Sequence, residues 1–98
     1  MMAFLIANIT VTDPERYSLY RAQVPKIVAQ YGGRFLVRAG AVHRLEGDLG
    51  VDRFVVIEFP SPEAARQFYD SPEYAPLLRL RMETAKSQVA IVEGYTTA

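Results

Sequence analysis

The chain has no cysteine, which excludes disulfides, thiolate metal sites and cysteine nucleophiles together. It also lacks an excess of charge of either sign, since 11 Lys and Arg are balanced by 11 Asp and Glu. A chain without net charge has no general attraction to nucleic acid or to an anionic membrane surface, so neither is expected as a partner. Long apolar runs are missing too. The opening MMAFLIANITV has no basic stretch before it and is interrupted by Asn8 and Thr10. It reads as a strand rather than a signal peptide, and nothing in the chain approaches the length of a membrane span. No serine stands in a His and Asp pattern, and Gly32-Gly33 lacks the spacing of a phosphate loop. The expectation is a soluble, cytoplasmic chain without metal or cofactor. Its 98 residues are read as one domain, 1–98.

What is present orders into β-α-β-β-α-β. Phe4 to Val11 is rich in Ile, Leu and Val and suits a central strand. Asp13-Pro14-Glu15 offers an N-cap, a proline at the first helical position and an acid in the first turn. Tyr17, Tyr20, Val24, Ile27, Val28 and Tyr31 follow at helical spacing, with Pro25 expected to kink the helix or remove one hydrogen bond. Gly32-Gly33 ends it. Arg34 to Ala39 reads as a strand, with a bulge or bend at Gly40 before it continues to Glu46. Gly47 to Val51 reads as a hairpin turn, and Arg53 to Phe59 as the third strand. Ser61-Pro62-Glu63 and Ser71-Pro72-Glu73 predict two helix starts ten residues apart, the second helix carrying Tyr74, Leu77, Leu78, Met82 and Ala85. Ser87 to Tyr95 is the last strand.

The doubled βαβ pattern is that of the α+β, ferredoxin-like fold. It implies an antiparallel sheet in the order 4-1-3-2 with the helices on one face. Tyr17, Tyr20, Ile27, Phe68 and Leu78 cover that face. The opposite face collects Phe4, Ile6, Asn8 and Thr10, Leu36 and Arg38, and Phe54, Val56 and Glu58. Such a surface is too apolar to be left in water and too polar for an ordinary core. Two sheets packed face to face about a twofold axis resolve the conflict, so a homodimer with an internal, partly polar cavity is expected.

The motifs DPE with Tyr17 and Tyr20, GGRFLVRAG over Gly32 to Gly40, LEG over Leu45 to Gly47, RFVVIEFPS and FYDSPEY over Phe68 to Tyr74 resemble the small bacterial family known as domain of unknown function number thirteen-thirty. The likeness runs over nearly the whole chain. It implies membership of the dimeric α+β barrel superfamily, with its antibiotic-biosynthesis monooxygenases, muconolactone isomerases and some haem enzymes. It implies the same dimer and supplies no activity. Phe68 departs from the family's frequent tryptophan before the tyrosine. The haem members draw attention to His43, the single histidine, but no second ligand stands at metal-binding spacing.

Arg38 and Glu58 are the candidate catalytic pair. They lie on neighbouring strands, share a parity and are expected to face each other across the ladder. In a cavity Arg38 would hold a substrate carboxylate or enolate while Glu58, its pKa raised by burial, acts as general base. The structural alternative is an ion pair that fixes the sheet and the dimer register. Asn8, Arg34, Tyr69 and Tyr74 are the candidate substrate-binding residues: Asn8 as an interior amide, Arg34 at the rim, and the tyrosines beside a helix break that could open a pocket. Three functions fit these features. One is a cofactor-free enzyme of monooxygenase or isomerase type acting on an enolic or aromatic substrate. The others are a small-ligand binding module and a structural dimer without ligand. The sequence leaves the function unassigned.

Overall fold

The computed structural model describes residues 1–96. Seven elements follow in order: β1 (Ala3–Val11), α1 (Pro14–Gln30), β2 (Arg34–Arg38), β3 (Arg53–Phe59), α2 (Pro62–Tyr69), α3 (Ala75–Thr84) and β4 (Ala85–Glu93). The strands form one antiparallel sheet in the order β2-β3-β1-β4, the ferredoxin-like arrangement that the sequence pattern implies.

Local chemistry explains the element starts. Asp13 Oδ1 accepts from the Arg16 N–H at 3.3 Å, and Ser61 Oγ accepts from the Ala64 N–H at 3.0 Å. Each is followed by proline at the first helical position, where no N–H is needed. Ser71 behaves differently from the helix start expected of it. Its Oγ donates to the Phe68 carbonyl and accepts from the Tyr74 N–H, closing a turn over Pro72 to Tyr74. α3 therefore begins only at Ala75, without a side-chain cap. It runs directly into β4, so Ala85 lies in the strand rather than on the helix. α1 is continuous through Pro25.

The larger departure is between β2 and β3. β2 stops at Arg38 and does not continue to Glu46, and no hairpin forms over Gly47 to Val51. Ala39 turns into the left-handed region at φ 57° while its N–H donates to the Phe54 carbonyl at 2.8 Å. That conformation ends the extended backbone. Residues 40–52 then form a loop whose far end is held to the sheet by Asn8: its Nδ2 donates to the Gly50 carbonyl and its Oδ1 accepts from the Asp52 N–H, both at 2.9 Å. The bulge expected at Gly40 sits instead at Leu36. Phe35 pairs with Ile57 and Val37 with Val56, so one extra residue lies in β2.

Side chains divide by strand parity. Leu5, Ala7, Ile9, Val55, Ile57 and Phe59 are buried under the helices with Tyr17, Tyr20, Val28, Phe68 and Leu77. Phe4, Ile6, Phe54 and Val56 are on the other face with Asn8 and Glu58, where direct pairs such as Phe4 with Glu58 and Asn8 with Phe54 share a side. Among the described residues no helix covers that face, and the loop after β2 adds exposed Val42 and Leu49 to its apolar surface.

The end of α1 is fitted closely. A Cβ on Gly33 would stand 2.7 Å from Phe59 Cε1 and 2.8 Å from Val28 Cγ1, both on fully buried side chains. Gly33→Ala should therefore cost about 1–3 kcal/mol, the range for forcing an extra methyl into a packed core. Urea unfolding of the two proteins measures it, and an alanine protein as stable as wild type would contradict this packing.

Candidate functional site

The bulge in β2 decides where the arginines go. Arg34, before it, pairs with Glu58; Arg38, after it, pairs with Val55 on the helix side. Arg38 and Glu58 therefore occupy opposite faces of the sheet, which corrects the expectation that they meet. Glu58 instead accepts from Arg34 Nε at 2.7 Å, and Arg34 is 72% exposed against 20% for Glu58. Arg38 donates to the Arg21 carbonyl at the α1 surface and lies over the Phe35 ring at 4.8 Å. Asn8 spends its amide on the two loop contacts already described. His43 is exposed in the same loop.

A different constellation lies between the sheet and the helices. A small, partly open cavity of about 30 Å³ is lined by core residues of β1 and β3 together with Tyr17, Tyr20, Tyr69, Tyr74, Arg38, Arg53 and Arg81. Such a space has room for about two water molecules. Tyr20 Oη and Tyr74 Oη are 2.8 Å apart, and Arg81 Nε donates to Tyr74 Oη at 3.4 Å. Arg53 Nε donates to Tyr17 Oη at 3.2 Å and stacks its guanidinium over the Tyr17 ring. Tyr74 is at the centre of the aromatic packing, with its ring centroid 4.5 Å from Phe68 and 5.9 Å from Tyr69.

Arg81 is 4% exposed and takes part in no ion pair among the described residues. Burial pulls its pKa down, and the surrounding tyrosines, Tyr74 foremost, more than offset this, so it stays cationic. Burial also pushes Tyr20 well above the ordinary tyrosine value, with the neighbouring Tyr74 adding to the shift and Arg81 opposing it. At neutral pH Tyr20 thus presents a neutral hydroxyl beside the guanidinium. The bond between the Tyr20 and Tyr74 hydroxyls uses one of two protons, which leaves one O–H free to donate.

Comparison with known proteins places this architecture. The chain belongs to the family described as Domain of unknown function (DUF1330), whose model matches residues 2–95. The fold is shared with a protein of unknown function from Rhodopseudomonas palustris, RPA0582. That structure is 16% identical, with 97% of this chain and 83% of that one covered at a TM-score of 0.75. It is also shared with SnoaB, a cofactor-independent oxygenase from Streptomyces nogalater (15% identical, 98% and 95% covered, TM-score 0.67). Rv0793 from Mycobacterium tuberculosis is 17% identical, with 100% and 99% covered at a TM-score of 0.59. A search of curated proteins gave no significant match.

Among the sequence candidates, the geometry gathers Arg38, Tyr69 and Tyr74 around the cavity and leaves Asn8, Arg34 and Glu58 on the open face. Arg81 is the polar group of the cavity that sequence reasoning misses. The signal for Arg81 was its place three residues before the end of α3, four after Leu77, on the stripe that faces the core.

Two outcomes follow from these contacts. A double-mutant cycle on Glu58→Gln and Arg34→Met should give a coupling of up to about 1 kcal/mol, as for a partly exposed ion pair. The same cycle with Arg38→Met should give less than about 0.5 kcal/mol. The reverse ranking would place the bulge elsewhere. Tyr20 also has a defined pH effect. Because its folded pKa is raised, the folded state holds the proton more tightly than the unfolded chain, so this stability is complete below about pH 10 and is lost as pH rises through the folded value. Unfolding measured from pH 9 upward should show wild type losing stability faster than Tyr20→Phe, and parallel curves would contradict the assignment.

Proposed function

We propose that the chain acts as a cytoplasmic homodimer in which each protomer binds a small molecule in the cavity between its sheet and helices. The observation that carries the reading is the buried Tyr20–Tyr74 hydroxyl pair bordering a small interior cavity together with Arg81. A core that served stability alone would have no use for polar groups with unspent donors at its centre. Arg38, Tyr69 and Tyr74 belong to this site. Glu58 with Arg34, and Asn8, serve the sheet and its loop instead.

The dimer reading rests on the open face. Phe4, Ile6, Phe54 and Val56 share it with a depression of about 590 Å³ whose walls include Val42 and Leu49 of the loop. A permanent dimer burying roughly 2,000 Å² or more would remove this surface from water.

The second reading is a cofactor-free enzyme of oxygenase or isomerase type. The same hydroxyl pair and guanidinium favour it, because O–H donors beside a fixed cation suit the oxygen of an enolate or phenolate. SnoaB, a cofactor-independent oxygenase, has this fold.

Both parts can be measured on one labelled sample. Sedimentation equilibrium should give twice the 11.0 kDa chain mass. Amide NMR during a screen of small aromatic fragments should move the resonances of Tyr20, Tyr74 and Val89. Shifts confined to Asn8, Phe54 and Ala90 would move the site to the open face, and a monodisperse monomer would remove the dimer.

A further inference from the structure

The polar groups around the cavity are unbalanced in one direction. Arg21, Arg38, Arg53 and Arg81 line it, and among the described residues no aspartate or glutamate does. The imbalance continues outward at both ends. Towards α1, Arg21, Arg38 and Arg53 also line a surface depression that includes Ser18 and no acid. Towards β4, Tyr69 and Arg81 line a second depression of about 210 Å³ with Ser87. Ser87 Oγ is buried without a hydrogen-bond partner. A buried hydroxyl left unpaired in this way is rare in native proteins. Here it shares its depression with a guanidinium that, among the described residues, has no carboxylate partner and one hydrogen bond, to Tyr74.

These groups have donors to spare and little to accept them. Arg81 has five N–H donors and no acceptor of its own, while the Tyr20–Tyr74 pair and Ser87 add further O–H donors. We infer that the ligand of this site is a small organic acid, its carboxylate held by Arg81 and Ser87 where the cavity meets the depression towards β4, and its apolar body set against Tyr69, Met82 and Val89 of that depression. The inference rests on the small-molecule reading given above and adds the charge and class of the ligand. A carboxylate supplies the missing negative charge, matches the planar fork of a guanidinium and accepts from several donors at once. The space of about 30 Å³ beside Arg81 admits no more than the headgroup, and the depression of about 210 Å³ that Arg81 shares with Ser87 leaves room for the body.

Benzoate and benzamide test this, because they share shape and differ in charge. Each is titrated by amide NMR into wild type, Arg81→Met and Ser87→Ala at matched ionic strength, with unfolding curves for all three proteins. Benzoate should bind wild type at least about tenfold more tightly than benzamide, a difference of about 1.4 kcal/mol. Arg81→Met should remove that preference. Ser87→Ala, which takes away a single donor, should weaken benzoate by roughly threefold to tenfold. If Arg81→Met does not fold, Arg81→Lys takes its place, and loss of the fork should still weaken benzoate severalfold. Equal binding of both probes in the cavity would overturn the anion inference and leave the small-molecule reading standing. Benzoate binding unchanged in every variant would overturn the assignment of Arg81 and Ser87. If neither probe moves any cavity resonance, both the inference and the reading beneath it fall.

Discussion

A guanidinium cannot leave water unless something replaces its hydration, and Arg81 is the place where this chain meets that constraint. Its side chain, on α3, is buried without an acid partner among the described residues. Tyr74 is the one neighbour among the described residues that its guanidinium hydrogen-bonds, and Tyr74 in turn is bound to Tyr20 on α1. The polar cluster thus ties both long helices to each other through hydroxyls, inside a layer otherwise built from aliphatic and aromatic side chains. Its cost of burial is met by cation-to-hydroxyl contacts and by access to the cavity. The tight aromatic packing of Phe68 on Tyr74 and Phe59 holds those hydroxyls in position.

The sheet imposes a second constraint. One face is finished by the helices and the other is not, and the chain has spent its polar groups differently on each. On the open face Glu58 finds Arg34 and Asn8 finds backbone, so the charges and amides are matched among themselves. On the helix face the donors outnumber the acceptors. A surface whose polar groups are mutually satisfied and whose remainder is apolar suits association. An interior with unspent donors suits a ligand.

Much of this was legible in the sequence. Strand and helix order, the caps at Asp13 and Ser61 and the parity of β1 and β3 all follow from short-range patterns that the structure respects. The errors cluster around β2. A glycine was the natural suspect for the bulge, and Leu36 takes it instead; a bulge depends on how two strands fit together, which residue type at one position does not reveal. One residue of offset was enough to send Arg38 to the wrong face. Arg81 was hidden for another reason. Arginine on a short helix ordinarily reads as solvated, and only the tertiary arrangement of three tyrosines around it shows otherwise.

The loop over residues 40–52 begins beside the bond from Ala39 to Phe54 and returns at the Asn8 clamp. Its two stems are therefore fixed by the sheet, independently of what lies between them. Closing a longer or shorter loop between fixed stems changes stability only slowly with length. Sequence drift in that segment can remodel the outward contour of the molecule while the donor-rich interior keeps its geometry. That segment can thus change what it presents to a neighbour while the sheet that anchors it stays as it is.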